Sequence, residues 1–431
     1  MQDTANPNPP VHAFAFCLGQ TDGEGEEACI LIWWRMLRIQ MELVTEAPAA
    51  EQPFEMGQDG DLVVPERLIS DWIEMALLTM MITIGAPLNA LTLFRLNRQL
   101  RKQKSSARTK QEAARTSFIW LKIHLTVIDL IVILIYCPSH IGWLISYTWN
   151  GGEFMCKAVQ YAWDFCFHLM SFGVVGIAVD RLRTVYRLMH IEKNGQRASI
   201  RPNDQLRFVR KLIMSCYMGA AMFSVPQWFV WTTVNMKTWS QCTTIWHKLR
   251  ALQYLHNQEI TESYIGERLY TMFHLLTVFW FPFIILFVAY LYIVVYLFCY
   301  SLRPYSISTG GPGTLFRMGS ETDSNLNLNL WQNASTPPNS CLNGSVKTSL
   351  TTTTIQAPAW RMEMRSKMFR TTVYVIAAYL ICWMPYNVLA LATFFSGELQ
   401  ILISMHLELI RVCVLLNTVL NPFIYGFRDS N

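Results

Sequence analysis

Apolar residues are gathered along this chain into seven long blocks, with polar connections between them. The blocks lie at about 72–94, 118–147, 155–182, 212–234, 269–302, 369–395 and 401–427. An α-helix needs about 20 apolar residues to cross the hydrocarbon core of a bilayer, and most of the blocks approach or exceed that length. Because the bilayer offers the backbone no water, a crossing segment of this kind is helical. The pattern therefore predicts an all-α membrane protein, a bundle of seven transmembrane helices that we number as spans one to seven.

The composition is that of a membrane protein. Apolar residues make up 52% of the chain and charged residues 15%, whereas soluble domains carry about 25% charged residues. The 11 cysteines form no C-x-x-C pair and no cluster with histidine at metal-ligand spacing, which argues against a zinc site. His168 and His274 stand apart from any nucleophile motif, so we predict a protein that is not an enzyme, needs no cofactor and does not bind nucleic acid.

The basic residues orient the spans. Positions 95–115 hold eight Lys or Arg and one acidic residue, and positions 181–211 hold nine and two. Cytoplasmic loops are enriched in Lys and Arg, so both connections are predicted to be cytoplasmic. The tail 1–71, with 13 acidic and three basic residues, is then extracellular, and its composition predicts disorder. With seven spans the carboxyl terminus is cytoplasmic. We predict a multi-pass protein of the plasma membrane.

The predicted domains follow from this topology. Spans one to five occupy residues 72–302, and spans six and seven occupy 368–427. The connection 303–367 is rich in Ser, Thr and Asn without a hydrophobic period, which predicts a flexible cytoplasmic loop. It contains both N-x-S sequons, at Asn333 and Asn343, which we expect to stay unglycosylated on that side. Residues 428–431 form a short cytoplasmic end.

Polar residues inside the spans predict an internal cavity. A central charge costs roughly 2.5 to 3.5 kcal/mol on insertion scales, so each must have a reason to be there. The set comprises Asn89, Asp129, His168, His274, Arg411, Asn417 and Asn421. For Asn89 and Asn417 a hydrogen bond between helices is an equally good explanation, but it is a weaker one for Asp129.

The third block ends in an acid–base pair, Asp180–Arg181, which by itself also fits an ordinary cytoplasmic helix end. The pair gains weight from other motifs that occur in order, one per helix. They are Asn89, LTVID ending in Asp129, Cys156, DRL at 180–182, FWFP ending in Pro282, CWMP at 382–385 and NPFIY at 421–425. This ordered set resembles the rhodopsin-like (class A) G-protein-coupled receptors over residues 72–427. Two positions depart from the family pattern, Cys216 in mid span four and Leu182 as the third residue of the DRY motif.

The resemblance implies specific roles for residues of this chain. Cys156 and Cys242, both at the oxidising outer face, would form a disulfide. Asp129 and Asn421 would face each other across a pocket able to hold an allosteric sodium ion. The switch residues that couple to a heterotrimeric G protein would be Asp180, Arg181, Tyr290, Pro385, Asn421, Pro422 and Tyr425. Because Pro385 lacks an amide hydrogen, it would kink span six and turn a small shift of Trp383 into a large outward swing at the inner end.

The outer face favours a peptide as the extracellular ligand. Trp163 stands where receptors for biogenic amines have an aspartate, although Asp164 is adjacent, and span seven has no lysine for retinal. The segments CK at 156–157, SVPQWF at 224–229, SQCTT at 240–244 and CWMPYNVL at 382–389 resemble receptors for gonadotropin-releasing hormone, adipokinetic hormone and vasopressin/oxytocin. A transporter or channel is a remote alternative, since we see no internal repeat or pair of broken half-helices.

Arg411 is the centre of the predicted ligand site. Its planar fork of donors would grip carbonyl groups of a neutral, blocked peptide. A polar wall (Gln160, Gln227, Tyr386 and Asn387), an apolar floor (Trp163, Phe167 and Trp383), Asp164 and His274 would complete the site. The competing interpretation is an internal ion pair of Arg411 with Glu408 or with Asp164. Membrane lipid would surround the bundle.

Overall fold

The computed structural model describes residues 67–106, 110–194, 202–236, 239–256, 258–259, 261, 264–301, 367–395 and 407–424. Most of the tail 1–71, the connection 303–366 and the end 428–431 lie outside these ranges. The two sequons and Tyr425 lie outside the described residues as well. The predictions that concern these segments therefore stay predictions.

The described residues form eleven α-helices and one β-hairpin. The helices are α1 Ile69–Met80, α2 Ala86–Ser106, α3 Lys110–Ser146, α4 Gly152–Asn194, α5 Pro202–Phe223, α6 Gln227–Val230, α7 Ile245–Leu255, α8 Ile265–Leu275, α9 Phe281–Ser301, α10 Lys367–Phe395 and α11 Leu407–Pro422. The strands are β1 Trp231–Asn235 and β2 Ser240–Thr244. Two π-helical turns, Met81–Gly85 and Leu276–Trp280, join α1 to α2 and α8 to α9.

These helices confirm the predicted bundle of seven transmembrane helices. Within the described ranges, six helical segments are long and apolar enough to cross a membrane: Ile69–Gln103, Thr116–Ser146, Gly152–Arg187, Asp204–Val230, Ile265–Val295 and Arg370–Phe395. They correspond to spans one to six. The apolar helix Leu409–Pro422 is shorter and corresponds to span seven, which packs against spans one, two and six.

The third span is at the centre of the bundle. It packs against spans two, four, five and six, and 67% of its apolar stretch is buried, against 22% for span four. The interior is aromatic, with Trp383, Tyr379 and Phe279 almost fully buried. Large apolar side chains such as Phe94 and Phe287 are exposed on the outside. A surface in contact with lipid tails tolerates such exposure, because lipid is as apolar as the side chains.

The fourth span differs from the predicted block 212–234. Its helix α5 begins at Pro202, ends at Phe223, and is followed by the short helix α6 and then by strand β1. Pro226 has no amide hydrogen to continue the helix, and the β-branched run that follows favours a strand. The apolar residues at the end of the block therefore belong to an outer hairpin.

The hairpin lies over the outer end of the third span. Strands β1 and β2 are antiparallel, with Thr233 opposite Cys242. Cys242 is disulfide-bonded to Cys156, with 5.5 Å between the two Cα atoms, which confirms the predicted bridge. Its consequence is that the outer loop is covalently held to the helix that lines the centre of the bundle.

Candidate functional site

An acid and two histidines meet in the outer half of the bundle. Asp164, which is 4% exposed, has its Oδ1 atom 3.1 Å from Nδ1 of His274 and 3.3 Å from Nδ1 of His168. Nε2 of His168 lies 3.1 Å from the hydroxyl of Thr277 on the opposite span. The residues Asp164 and His168 belong to span three and His274 to span five, so this cluster joins the two helices.

The cluster opens into a cleft between spans three, four and five. The cleft is narrow, and it is lined by Asp164, His168, Phe223, Pro226, Gln227, Tyr270, Phe273, His274 and Thr277. Its walls combine aromatic rings with hydrogen-bonding groups. Within the described part of the chain, Oδ2 of Asp164 has no hydrogen-bond partner.

Gln227 forms the far wall of the cleft. Its Oε1 atom accepts hydrogen bonds from the indole of Trp231 at 2.6 Å and from the hydroxyl of Tyr270 at 2.7 Å. A buried amide needs such partners, because an unsatisfied polar group in an apolar interior costs free energy. The predicted polar residue Gln227 therefore ties the end of span four to the hairpin and to span five.

Arg411 contacts span six. Its Nη2 atom donates to the hydroxyl of Tyr386 at 3.0 Å, so the structure brings two predicted site residues together. The sequence analysis considered an ion pair of Arg411 with Asp164, but the Asp164 carboxylate contacts the two histidines instead. The alternative pair of Arg411 with Glu408 is not tested, because the structure does not describe the side chain of Glu408.

The predicted floor residues occupy two different places. Trp383 lies in the aromatic interior of the bundle, where its ring meets the edge of Phe167 with 6.2 Å between the centroids, and its carbonyl accepts from Asn387 at 2.9 Å. Trp163, in contrast, faces span two, and its indole donates to Ser139 Oγ at 2.7 Å. The structure thus places Trp163 away from the cleft around Asp164.

Gln160 lies one helical turn outward of Asp164. The residue is 7% exposed, and its Nε2 atom has no hydrogen-bond partner among the residues that the structure describes. Gln160, Asp164 and His168 are spaced four apart, so they share one face of span three. This face presents a line of polar groups along the outer half of the bundle.

A second buried acid was missed by the sequence analysis. Glu74 Oε1 lies 2.8 Å from Nε2 of His140, and both side chains are buried. The His140 ring stacks on Tyr136 with 5.2 Å between centroids and meets the edge of Trp163 at 4.9 Å. The signal was present in the sequence, because Glu74 is an acid near the start of the first apolar block and His140 is a polar residue within the second.

The outer loop is anchored to span five by a charged pair. Nη1 and Nη2 of Arg250, on α7, donate to the two carboxylate oxygens of Glu267 at 2.7 and 2.6 Å. These hydrogen bonds raise the pKa of the Arg250 guanidinium above its ordinary value, because they favour its charged form. The bidentate pair and the disulfide together hold the loop over the outer end of the bundle.

The middle of the bundle contains the predicted pair of spans two and seven. Asn421 Nδ2 donates to both carboxylate oxygens of Asp129, each at 3.1 Å, and both residues are almost fully buried. Asn89 donates to the carbonyl of Thr418 at 3.0 Å. The interhelical hydrogen bond that was one interpretation of Asn89 is therefore present.

Pro282 removes one backbone hydrogen bond from span five, and a side chain of span three takes its place. A proline has no amide hydrogen, so the carbonyl of Val278, four residues earlier, loses its helical partner. Ser171 of span three donates to this carbonyl at 2.5 Å and lies 2.9 Å from the hydroxyl of Tyr379 on span six. The contact links spans three, five and six one helical turn inward of Trp383. A movement of span six at this level would change the hydrogen bond between Ser171 and Tyr379.

The inner end carries the predicted acid–base pair. Arg181 Nη2 donates to Asp180 Oδ2 at 2.5 Å, with both side chains buried. The guanidinium also lies over the ring of Phe118 of span two, 4.6 Å from the centroid. Tyr290 of span five is half-buried, and within the described residues its hydroxyl has no hydrogen-bond partner.

A bundle of seven apolar helices with a disulfide at one end, a polar interior and a paired Asp–Arg at the other end is the arrangement expected of a seven-transmembrane receptor. The family model of the 7 transmembrane receptor (rhodopsin family) matches residues 105–425. The chain therefore belongs to the rhodopsin family of seven-transmembrane receptors, which confirms the resemblance drawn from the motifs.

Three curated receptors are similar in sequence to this chain. The G-protein coupled receptor daf-38 of Caenorhabditis elegans is 28% identical over 397 residues, covering 84% of this chain and 90% of the relative. The gonadotropin-releasing hormone receptor of Sus scrofa is 22% identical over 78% of this chain and 84% of its own length. The gonadotropin-releasing hormone II receptor of Clarias gariepinus is 22% identical over 69% and 63%.

Proposed function

We propose that this receptor lies in the plasma membrane with its amino terminus outside, binds an extracellular neuropeptide between the outer ends of spans three to seven, and activates a heterotrimeric G protein inside. The ligand that we favour is a neutral, blocked peptide of the gonadotropin-releasing or adipokinetic hormone type. The observation that carries this proposal is the set of polar groups in the outer half of the bundle, where Asp164 meets His168 and His274. The similarity to two gonadotropin-releasing hormone receptors supports it.

The polar groups in the outer half of the bundle suit the backbone amides of a peptide better than a single charged amine. Asp164 is already in contact with two histidines, so an amine would have to compete with them for its carboxylate. Arg411 is held by the Tyr386 hydroxyl, and its guanidinium is a planar fork of donors of the kind that matches carbonyl oxygens. Gln160 adds a buried amide one helical turn outward of Asp164. A peptide supplies both carbonyl and N–H groups, which polar side chains of this kind can pair with.

Activation would transmit the ligand contact to the inner face through span six. Trp383 is packed between Phe167 and Phe279, with 6.2 and 6.3 Å between ring centroids, so a ligand that presses on this layer shifts span six near Pro385. The kink converts this shift into an outward swing of the inner end of span six. Arg181 then leaves Asp180 and contacts the G protein. Ligand binding acts by favouring one of two packed states of the bundle.

A sodium ion would favour the resting state. Asp129 and Asn421 are buried side by side, and the side-chain oxygen atoms of Asn89, Asn417 and Asn421 have no hydrogen-bond partners within the described ranges. Carboxylate and amide oxygens are suitable ligands for a hard cation. If this holds, replacing sodium with a large organic cation in the medium raises basal signalling of the wild type but not of Asp129→Asn.

The test is a peptide screen in cells that express the full chain. We expect calcium release or cyclic-nucleotide changes with peptides of the gonadotropin-releasing or adipokinetic hormone type, and the panel includes vasopressin/oxytocin-like peptides as the second candidate. Tyr386→Phe, which keeps the ring but removes the acceptor for Arg411, should weaken the response. Phe94→Leu, on the exposed outside of span one, is the matched control. A response to monoamines and to none of the peptides would refute the proposed ligand class.

A further inference from the structure

Asp180, the acid that pairs with Arg181, has a second hydrogen-bond partner, which lies outside the DRL motif. Asp180 Oδ2 accepts from Arg181, and Asp180 Oδ1 accepts from Nε2 of Gln205 at 3.0 Å. Gln205 lies near the start of α5 and is buried. This hydrogen bond therefore ties the fourth span to the acid that pairs with Arg181.

Gln205 is itself oriented by a third residue. Nη1 of Arg187 donates to its Oε1 atom at 3.0 Å. An amide has a donor end and an acceptor end, and here each end meets its complement, the guanidinium on one side and the carboxylate on the other. The reversed amide would place N–H groups against Arg187 and a carbonyl against Asp180. The Gln205 side chain consequently has one favoured orientation.

The chain needs such a residue at this point. Asp180 is 0% exposed, and burying a carboxylate costs free energy unless hydrogen bonds compensate for the lost water. Leu182, which stands where the family motif has tyrosine, has no polar side-chain group to offer. Thr184 donates to the Asp180 backbone carbonyl at 2.8 Å and leaves the carboxylate to Arg181 and Gln205.

The geometry points to Gln205 as a positioning residue that holds the Asp180 carboxylate in place and so keeps Arg181 paired in the resting receptor. The inference rests on the proposed activation of a G protein, in which Arg181 leaves Asp180. Gln205 contacts neither ligand nor G protein in this scheme and acts through Asp180. Its loss should shift the balance of states toward the active one without any agonist.

The test measures ligand-independent nucleotide exchange by a panel of G proteins in membranes that contain the full-length receptor, normalised to surface expression. Gln205→Leu keeps most of the side-chain volume and removes the donor, so we expect basal exchange to rise about tenfold, because hydrogen bonds to charged groups are the stronger ones. Asp204→Asn, the exposed neighbour, is the matched control and should leave basal exchange unchanged.

A double variant separates positioning from a general loosening of the bundle. Asp180→Asn releases Arg181 directly, so adding Gln205→Leu to it should produce no further rise, whereas independent effects would multiply. Arg187→Gln removes the group that orients Gln205 and should produce a smaller rise in the same direction. If Gln205→Leu fails to reach the surface, the Arg187→Gln result decides, and an unchanged basal exchange there overturns the inference.

A second readout keeps this test distinct from that of the proposed function. A fluorophore attached at Arg370→Cys, an exposed position at the inner end of span six, reports the movement of that span without a G protein. We expect Gln205→Leu and Asp180→Asn to shift its emission in the same direction. A shift without nucleotide exchange would refute the coupling and support the role of Gln205; no shift with Gln205→Leu, beside a clear shift with Asp180→Asn, would refute that role.

Discussion

Replacing Glu74 by alanine tests the buried pair that joins the outer ends of spans one and two. The side chains of Glu74 and His140 are 3% and 8% exposed, and their polar atoms lie 2.8 Å apart. The His140 ring is held between Tyr136 and Trp163, so it stays largely buried when its partner is removed. Breaking a buried pair in this way costs about 3 kcal/mol. The Glu74→Gln variant keeps an acceptor oxygen and should lose only about 1 kcal/mol.

Thermal unfolding of the detergent-solubilised receptor provides the assay. Cys137, Cys166 and Cys382 are buried free thiols, so a thiol-reactive dye reports their exposure on unfolding. For a bundle of this size we expect Glu74→Ala to lower the midpoint by about 6 °C and Glu74→Gln by less. The control is Glu153→Ala, which removes an exposed pair with Lys157 and should change nothing measurable. An unchanged midpoint for Glu74→Ala would refute the argument, and equal losses for both Glu74 variants would show that charge, not hydrogen bonding, is what matters.

Three further predictions follow from the sites. Cys156→Ser and Cys242→Ser should each abolish surface expression or agonist binding, measured by cell-surface labelling and peptide binding, and normal binding by both would contradict the structural role of the bridge. Arg181→Ala should bind peptide normally but fail to stimulate nucleotide exchange, so full signalling by this variant would remove Arg181 from the switch. Arg411→Lys keeps the charge but loses the planar fork, and its peptide affinity should fall as far as that of Arg411→Gln. Wild-type affinity for Arg411→Lys, beside an Arg411→Gln variant that never reaches the surface, would instead mark a structural ion pair.

The positions of the helices could be predicted from the sequence because the bilayer leaves little choice. A segment in hydrocarbon must satisfy its backbone internally, so long apolar blocks translate directly into helices such as α3 and α10. The block 212–234 shows where this rule ends. Its last residues lie beyond Pro226, where a strand paired with β2 satisfies the backbone equally well. Hydropathy alone does not distinguish a helix from a strand at this point.

The motifs also indicated some side-chain pairs correctly. Asp129 and Asn421 are hydrogen-bonded, and Cys156 and Cys242 are bridged, although 292 and 86 residues separate their members in sequence. These pairs came from the resemblance to a receptor family, since the spacing of residues along one chain contains no information about which helix lies next to which.

The sequence by itself determined that this is a seven-helix membrane receptor of the rhodopsin family, because apolar length and ordered motifs are local properties. Only the tertiary structure decided which polar groups meet: Asp164 with two histidines, Glu74 with His140, and Gln205 with Asp180. Each of these contacts depends on how neighbouring helices are rotated and shifted against one another. A rotation of one residue position, 100° on a helix with 3.6 residues per turn, would turn any of these side chains away from its partner, and that rotation is set by packing across the whole bundle.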